Sequence, residues 1–347
     1  MSMAHESRLE SGISQLPRIP LGVHPTPLEH LSRLSAELGG PPIYIKRDDL
    51  TGLAFGGNKT RMLEFSLADA QANNAEVIVF GAAVQSNYCR QLAAACAKLG
   101  FELHLILRPE REIDKTDIQG NNLLQRLFGA KVKVLDSNDR PAQQAAIAEY
   151  TDKLRADGRR VYVPRRPDTV DLDVIAYAES ALEIVRQCRK AGIAPAYLYT
   201  TAYDTTQAGL VLGTKYLESG IHVRGITPIG GPAAERVQRM VEMTNQAAER
   251  LGLPIEVSAA DFDSDDSYVG ERYGIPTPEG LEALQLVART EGILLDPVYT
   301  SKGMAALVAN IRSGKLVKDQ PVVFLHTGGA PALFGYAEEL VAGGVVA

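Results

Sequence analysis

A lysine in a glycine-rich turn is the clearest candidate for chemistry in this sequence. Lys59 lies in the run 56–61 (GGNKTR), between a predicted strand at 42–46 and a predicted helix. The positive potential at a helix N-terminus lowers the pKa of a lysine, and a neutral amine can form a Schiff base with a carbonyl compound. A bare GGNK turn is more often an ordinary surface loop. The longer string 46–61 (KRDDLTGLAFGGNKTR) is what favours a reactive lysine.

Polar residues also follow other predicted strands. Ser86 and Asn87 come after the run 76–80 (EVIVF), at the kind of strand end where open α/β sheets bind ligands. A plain helix cap is the alternative for Ser86, and the two roles are compatible. The run 325–333 (LHTGGAPAL) ends a strand in a Gly-Gly turn, which lets backbone approach a ligand closely. The run 291–302 contains Tyr299, and either of these last two runs, taken alone, is more typical of a simple loop.

Alternating strands and helices must position these residues. Strand, helix, strand alternation indicates parallel sheets covered by helices on both faces. The length of 347 residues favours two α/β domains, a small one at 65–165 inserted into a large one formed by 1–64 and 166–347. We predict strands at 42–46, 76–80, 103–107, 131–135, 160–164, 197–199, 223–227 and 322–325, and helices at 64–73, 87–99 and 121–128.

Composition excludes several classes of function. The net charge of −6 provides no basic field for nucleic acid, and no apolar run approaches the roughly 20 residues that span a bilayer. Three cysteines without a CxxC pair and a polar N-terminal segment predict a cytoplasmic chain. No Cys and His cluster has metal-ligand spacing, so we expect no metal ion.

Together the four runs resemble those of one family, the pyridoxal 5′-phosphate (PLP)-dependent fold-type II enzymes of the D-cysteine desulfhydrase and 1-aminocyclopropane-1-carboxylate (ACC) deaminase group. The similarity extends from 24–28 (HPTPL) to Gly335 and Tyr336. It implies a fold like that of the tryptophan synthase β subunit, with two open, twisted, mostly parallel α/β domains and the cofactor between them. It also implies a small amino-acid substrate and a homodimer.

The resemblance implies a role for each matching residue. Lys59 would carry PLP as an internal aldimine and move the proton at the substrate α-carbon. Asn87 would bond the phenolic oxygen of the cofactor, while Ser86, an acid or base candidate, and Gln85 would hold the substrate carboxylate. Tyr273 and Tyr299 would flank the substrate, although a packing role for Tyr273 stays open. Further cofactor contacts are expected from Asn58, Thr201, Thr205, Thr206, Gln207, Thr300 and Thr327, and further substrate contacts from Asn87, Tyr88 and Arg166.

Two positions separate the subgroups of this family. ACC deaminases have Glu and Leu where this sequence has Thr300 and Thr327, which are typical of the desulfhydrase-like members. A glutamate beside the pyridine nitrogen favours a deep electron sink that suits ring opening, whereas a neutral hydroxyl supports a shallower one. A shallower sink is sufficient for α,β-elimination, so this sequence predicts a carbon–sulfur lyase or deaminase that releases pyruvate and ammonia.

The sequence departs from the family pattern at two places. Asp204 replaces an expected glycine in the phosphate-binding run 200–209 (TTAYDTTQAG), and a carboxylate beside a phosphate is unfavourable unless it points away or pairs with a cation. Arg165 and Arg166 replace a Gly- and Ser-rich stretch. They could bind an additional anionic group of the substrate, but we favour surface pairing with Asp168 or Asp171.

These departures leave alternatives open. One is a different PLP reaction, either ACC deamination or elimination or replacement on an anionic amino acid such as cysteate. Another is a non-catalytic protein that keeps the fold and binds a ligand.

Overall fold

The computed structural model describes residues 3–202 and 204–346. The strands are β1 Leu28–His30, β2 Ile43–Arg47, β3 Val77–Phe80, β4 Glu102–Leu107, β5 Lys131–Val134, β6 Val161–Tyr162, β7 Tyr197–Thr201, β8 His222–Ile226, β9 Asp263–Asp265 and β10 Val322–His326. The α-helices are α1 Met3–Ser14, α2 Ser32–Leu38, α3 Lys59–Ala72, α4 Asn87–Leu99, α5 Gly120–Leu127, α6 Arg140–Ala156, α7 Asp171–Ala191, α8 Thr205–Tyr216, α9 Ala233–Arg250, α10 Pro278–Glu291, α11 Thr300–Arg312 and α12 Ala337–Ala342.

The strands form two sheets. The larger has the order β1-β2-β10-β7-β8-β9 and is parallel except for β1, and the smaller has the order β5-β4-β3-β6 and is parallel throughout. The small sheet is built from strands between 77 and 162, within the predicted insertion. The exact domain boundaries stay a prediction.

Register brings three site segments to one edge of the large sheet. Leu325 of β10 pairs with Lys46 of β2 on one side and with Thr200 of β7 on the other. The three parallel strands therefore end at the same level. The turn before α3, the loop that begins at Thr327 and the start of α8 all follow these ends, which is the edge where open α/β sheets bind ligands.

The apolar core lies on both faces of the large sheet and around the small one. Helices α3, α7, α8 and α9 cover one face of the large sheet, and α2, α10 and α11 cover the other. A separate cluster joins α3 and α4 to the small sheet. Within the described ranges, no helix is both long and apolar enough to cross a membrane.

The predicted elements are confirmed with shifts at their ends. The helix expected at 64–73 begins at Lys59, five residues earlier. The apolar pattern missed this first turn because its buried residues include the polar Thr60 and Arg61. The strand expected at 160–164 is reduced to Val161–Tyr162, since only these two residues pair with β3.

Candidate active site

A cavity of about 760 Å³ lies between the two sheets. Its wall contains the turn before α3, the start of α4, the end of β7 and the start of α9. Most of the residues expected at the site line it. They are Asn58, Lys59, Ser86, Asn87, Tyr88, Arg166, Thr201, Thr206, Tyr273, Tyr299 and Thr327.

A strained turn presents Lys59 to this cavity. Residues 54–57 all have positive φ, including the non-glycine Ala54 and Phe55. A Cβ on Gly56 would lie 1.9 Å from the carbonyl oxygen of Asp49, so only glycine fits there. The buried Arg90 guanidinium donates to the carbonyl oxygens of Ala54 and Gly56, which fixes the turn. Left-handed non-glycine residues often mark functional sites.

The loop after β10 packs directly on this turn. The backbone amide of Asn58 donates to the carbonyl oxygen of Thr327 at 3.0 Å. A Cβ on Gly328 would lie only 2.7 Å from the Cα of Gly57. The two glycine runs singled out in the sequence are thus one structural unit, which holds Lys59 and Thr327 on the same wall.

Charges around Lys59 set its protonation. Burial lowers the pKa of Lys59; the carboxylates of Asp204 and Asp173 oppose this shift, and the Arg165 cation adds to it. The net direction is downward, so a larger fraction of this amine is neutral than in a lysine exposed to water. A neutral amine is the reactive form towards a carbonyl carbon.

The start of α4 supplies the second polar wall. Ser86 is the N-cap, and its hydroxyl accepts from the backbone amide of Cys89 at 3.2 Å. Asn121 donates from Nδ2 to Oδ1 of Asn87 at 2.9 Å. With Oδ1 engaged, the Nδ2 end of Asn87 is the donor that can reach a ligand. Asn121 was missed by the sequence interpretation, because nothing in its local run distinguishes it.

Two tyrosines face the cavity together. The hydroxyls of Tyr273 and Tyr299 are hydrogen-bonded to each other, and the ring centroids lie 5.8 Å apart in an edge-on arrangement. Thr201 donates to the carbonyl oxygen of Tyr299 at 2.9 Å and so fixes the start of α11. The pair presents phenolic hydroxyls, which can donate or accept a proton, to the same space as Lys59.

A buried ion cluster lies where the phosphate run enters α8. Arg165 NH2 donates to Oδ2 of Asp204 at 2.6 Å, and its Nε lies 3.0 Å from Oδ2 of Asp173 at an angle that makes no hydrogen bond. Burial raises the pKa of Asp173 to about 6. Burial would also raise the pKa of Asp204, but the charges of Arg165 and Lys59 outweigh it and lower the value to about 2. Asp204 therefore pairs with a cation, Arg165. Such a pairing is one of the two conditions under which a carboxylate can lie beside a phosphate.

The two neighbouring arginines behave differently. Arg166 pairs with Asp168 at 3.0 Å, as expected. The expectation was wrong for Arg165, which turns into the cavity with φ of 62° and pairs with Asp173 and Asp204 instead. The sequence could not reveal this pairing, because the left-handed backbone at Arg165 aims its side chain inwards.

Four residues expected to touch a ligand do not line the cavity. Gln85 bonds the backbone of Gln119 and Asn121, and Gln207 is held by Ser264 and the carbonyl oxygen of Asp263. The Thr300 hydroxyl accepts a hydrogen bond from the backbone amide of Asp296 and donates one to its Oδ1, at the start of α11. The Thr205 hydroxyl lies within the Arg165–Asp204 cluster. These hydrogen bonds stabilise the walls of the cavity. The expected direct contact of these four side chains with a ligand is therefore replaced by a supporting role behind the lining.

The lining fits PLP. Lys59 offers the amine for its aldehyde, and the start of α8 with Thr206 and Arg165 offers positive potential for its phosphate. Nδ2 of Asn58 donates to the Thr206 hydroxyl at 3.1 Å, which ties the lysine turn to α8. Within the described residues, the Tyr88 hydroxyl and Arg165 Nε are buried without a hydrogen-bond partner. Buried polar atoms of this kind are costly unless a ligand or water satisfies them.

The chain is similar to known proteins over most of its length. The family model described as "Pyridoxal-phosphate dependent enzyme" matches residues 19–328. D-cysteine desulfhydrases of Salmonella typhi and Salmonella choleraesuis are each 39% identical over 328 residues, covering 93% of this chain and 97% of theirs. The solved structure of an ACC deaminase homologue superposes with a TM-score of 0.86 at 32% identity, covering 97% of this chain and 99% of that one.

A more distant structure shares the fold alone. It is the Escherichia coli diaminopropionate ammonia lyase in apo form, with a TM-score of 0.64 at 17% identity, covering 99% of this chain and 92% of that one.

Fold and site therefore define an α/β enzyme of fold-type II that uses PLP. The chain belongs to the pyridoxal-phosphate dependent enzyme family. Within that family it is similar to D-cysteine desulfhydrases and to an ACC deaminase homologue.

Proposed function

We propose that the protein catalyses α,β-elimination on a small amino acid, as the name of its D-cysteine desulfhydrase relatives indicates for them. The observation that carries the proposal is the position of Lys59, whose amine has a lowered pKa and lines a cavity that also contains Tyr273 and Tyr299. An amine of this kind can take a proton from the α-carbon, and a phenol can give one to a departing group. The overall reaction would convert the amino acid and water into pyruvate, ammonium and the released β-substituent.

The chain's own residues divide the work. PLP supplies an electron sink when it is bound. We assign to Lys59 both the attachment of PLP and the transfer of the α-proton, and to Asn87 the hydrogen bond to the phenolic oxygen of the cofactor. The N-terminus of α4 would hold the substrate carboxylate, because backbone amides and the helix dipole favour an anion there. Ser86 lies at that terminus and would position the carboxylate.

The tyrosine pair is assigned to the leaving group. Because the two hydroxyls share a hydrogen bond, one phenol can donate to the departing atom while the other stabilises the phenolate that results. We keep the assignments of Thr201, Thr206, Asn58 and Thr327 to cofactor binding and of Tyr88 and Arg166 to substrate binding. Each of these residues lines the cavity, which supports the proposal.

ACC deamination is the second candidate, since an ACC deaminase homologue shares the fold and 32% of the sequence. Thr300 argues against it, because it stands where ACC deaminases have Glu. Without that carboxylate, the deep electron sink that ring opening favours is less well supported than elimination. Thr327, which lines the cavity and stands where they have Leu, agrees with the desulfhydrase-like pattern but adds no charge.

A spectrum combined with product analysis tests the proposal. The purified protein should show the absorbance of a lysine-bound cofactor. It should also release pyruvate from one enantiomer of β-chloroalanine or of cysteine. Lys59→Ala should abolish the band and lower pyruvate formation by at least about 10³-fold.

Lys302→Met is the matched control. Lys302 is a buried lysine with a pKa lowered by burial to about 8, and it lies outside the cavity lining. It should keep the band and the activity, as long as the melting temperature confirms folding. A parent protein that is colourless and inert would overturn the proposal, and release of 2-oxobutyrate from ACC would favour the second candidate.

We further infer a cytoplasmic homodimer in which residues 1–64 and 166–347 form the large domain and 65–165 the small one. The three cysteines are buried and free, which supports a reducing compartment. Leu123 and Leu127 of α5 and the neighbouring Phe334 are exposed at 49%, 73% and 70%, which supports an apolar contact between copies. Leu127→Asp should shift the molar mass in solution from dimer to monomer, and an unchanged dimer would exclude this surface.

A further inference from the structure

The cavity is strongly cationic in an acidic protein. Among the described residues that line it, six arginines accompany Lys59, and Asp204 is the one acidic side chain. The arginines are Arg108, Arg140, Arg165, Arg166, Arg236 and Arg239. The whole chain carries a net charge of −6, so this positive field is a local property of the cavity. Cavities with one sign of charge concentrate ligands of the opposite sign.

Two of these arginines come from the small sheet and the helix beside it. Arg108 directly follows β4 and is buried; its NH1 pairs with Glu110, but its Nε is buried without a hydrogen-bond partner. Burial raises the pKa of Glu110 to about 7, although Arg108 and Arg140 oppose the shift. Glu110 is a counter-charge of Arg108 that burial makes easier to protonate than an exposed glutamate. Arg140 is the first residue of α6 and is exposed.

Two others come from α9 on the opposite wall. Arg236 and Arg239 are three residues apart, so they lie on the same side of the helix. Arg236 is buried, donates to the carbonyl oxygen of Gly231 at 3.1 Å and lies 3.5 Å from the exposed Asp266. Arg239 is exposed. Both lie in the first two turns of α9, where the helix dipole adds further positive potential.

These four residues, Arg108, Arg140, Arg236 and Arg239, are called the arginine rim. The other charges of the cavity already have assigned partners. The α-carboxylate would take the start of α4, and the cofactor phosphate would take α8 with Arg165. After both anions are placed, Glu110 and Asp266 are the carboxylates that pair with rim residues, and Arg140 and Arg239 form no ion pair within the described residues. Four guanidinium groups facing two carboxylates leave an excess of positive charge, which an anion would compensate.

We propose that the arginine rim binds a second negatively charged group on the substrate, so that the preferred substrate is an amino acid whose β-substituent carries its own acid. The inference rests on the elimination proposed above and names its substrate class. The planar fork of arginine suits a carboxylate, a sulfonate or a phosphate.

The rim would also assist bond breaking. The Cα–H and Cβ–X bonds break, the substituent X departs with the bonding pair, and water converts the remaining three-carbon fragment into pyruvate and ammonium. Negative charge on X increases as it leaves. Arg108 and Arg236, which are buried and paired, are held in place and stabilise that charge more than the charge of the ground state.

A pair of isosteric substrates tests this inference. S-carboxymethylcysteine and S-carbamoylmethylcysteine differ only by an acid and an amide, and both lose a thiolate. For the reactive enantiomer, the ratio of kcat/KM for the acid to that for the amide should be about tenfold or more, and it should fall as salt rises. Cysteate and O-phosphoserine then identify which acid the rim prefers.

Variants connect this ratio to the rim. Arg140→Gln combined with Arg239→Gln removes the two exposed members, so folding should be retained, and the ratio should drop by about three- to tenfold. Arg289→Gln removes an exposed arginine of α10 outside the cavity and should keep the ratio of the parent. A ratio near one in the parent, or the same ratio in the double variant, overturns the inference.

A second measurement, the melting temperature with each compound, distinguishes failure of the anion site from failure of the proposed elimination. The acid should raise the melting temperature of the parent more than the amide does, and the double variant should lose that difference. If no substrate gives pyruvate but the acid still stabilises selectively, elimination fails and the anion site stands. If β-chloroalanine gives pyruvate and acid and amide are equal in both readouts, elimination stands and the anion site fails.

Discussion

Two buried ion clusters lie on either side of the same helix and serve different ends. Lys59 and Arg61 are both in the first turn of α3, and two positions along a helix turn a side chain to the opposite face. Arg61 enters a cluster that we call the structural cluster, with Asp48, Glu183 and Lys46. Lys59 faces the cavity cluster of Arg165, Asp173 and Asp204.

The structural cluster is fully bonded. Arg61 donates from Nε and NH2 to the two oxygens of Asp48, each at 2.9 Å, and from NH1 to Glu183 at 2.9 Å. Tyr177 donates to Oδ2 of Asp48 at 2.8 Å. Burial would raise the pKa of Asp48, but Arg61 lowers it to about 2. A buried charge network with its hydrogen bonds made holds the fold in one arrangement.

The cavity cluster is not satisfied internally. Arg165 Nε and both oxygens of Asp173 are buried without hydrogen-bond partners in the described residues. Asp173 also has a raised pKa, near 6, where Asp48 has a lowered one. The two clusters differ in hydrogen-bond satisfaction and in exposure, and both differences separate a cluster that builds the protein from one that can receive a ligand.

Removing the central arginine of each cluster tests this difference most severely. Arg61→Met should lower the free energy of unfolding by about 3–5 kcal/mol, because Asp48 remains buried without its cation and Glu183 keeps Lys46 alone. Arg165→Met should cost only about 1 kcal/mol, since the cavity admits water and Asp173 can take up a proton. Equal losses in urea denaturation of the two variants would contradict the comparison.

The pH dependence of stability tests Asp173. Its pKa rises on folding from 3.8 to about 6, so the folded state takes up a proton in this range and loses stability as pH rises from about 4 to 6. Asp173→Asn removes this loss, and from pH 4.5 to 7 it should gain on the order of 2 kcal/mol relative to the parent.

Asp204→Asn is the control for the same measurement. The pKa of Asp204 is lowered to about 2, so its stabilisation is lost only below the pH window of Asp173. Its difference from the parent should change much less across the window than that of Asp173→Asn, because Asp204 acts there only as one of the smaller charges that raise the pKa of Asp173. A constant difference for Asp173→Asn would show that Asp173 does not titrate there.

Two tyrosines give a matched pair of hydroxyl deletions. Tyr177→Phe removes a hydrogen bond to a carboxylate and should cost about 1.5 kcal/mol of unfolding free energy. Tyr88→Phe removes a buried hydroxyl without a partner and should change stability by less than about 0.5 kcal/mol, while raising KM for the substrate. Thermal unfolding and initial rates measure both, and a stability loss at Tyr88 as large as that at Tyr177 would refute the distinction.

Cofactor affinity gives the smallest expected effect. Asp204→Asn leaves the shape of the α8 start unchanged but removes a carboxylate that competes with a phosphate for Arg165. PLP should bind about fivefold more tightly, close to 1 kcal/mol, by equilibrium dialysis. Asp261→Asn, which removes a carboxylate paired with Lys215 outside the cavity, should leave the affinity unchanged. Weaker binding to Asp204→Asn would mean that Asp204 serves phosphate binding by holding Arg165.

Local signals in the sequence were enough for much of the fold. The helix at Asn87–Leu99 was predicted to the residue, because Ser86 offers an N-cap and Gly100 ends the helix. Strands β2 to β5 agree within one or two residues, since short β-rich runs between turn residues carry their own signal. Through the family resemblance, the string around Lys59 indicated the cofactor and led to the proposed role of that lysine.

Side-chain partners over long sequence separations could not be predicted. Arg61 pairs with Glu183, which lies 122 residues away, and Arg165 pairs with Asp204, 39 residues away. Gln85 was expected at the substrate, yet it bonds a backbone turn that only the folded chain brings to it.

The sequence alone therefore determined the class of fold, the candidate lysine Lys59 and the number of charged residues of each type, because these follow from residue types and short-range order. Only the tertiary structure decided which charges are satisfied inside the protein and which face the cavity. That distinction depends on distances and angles between strand ends and helix starts, and these exist only once the two sheets are packed.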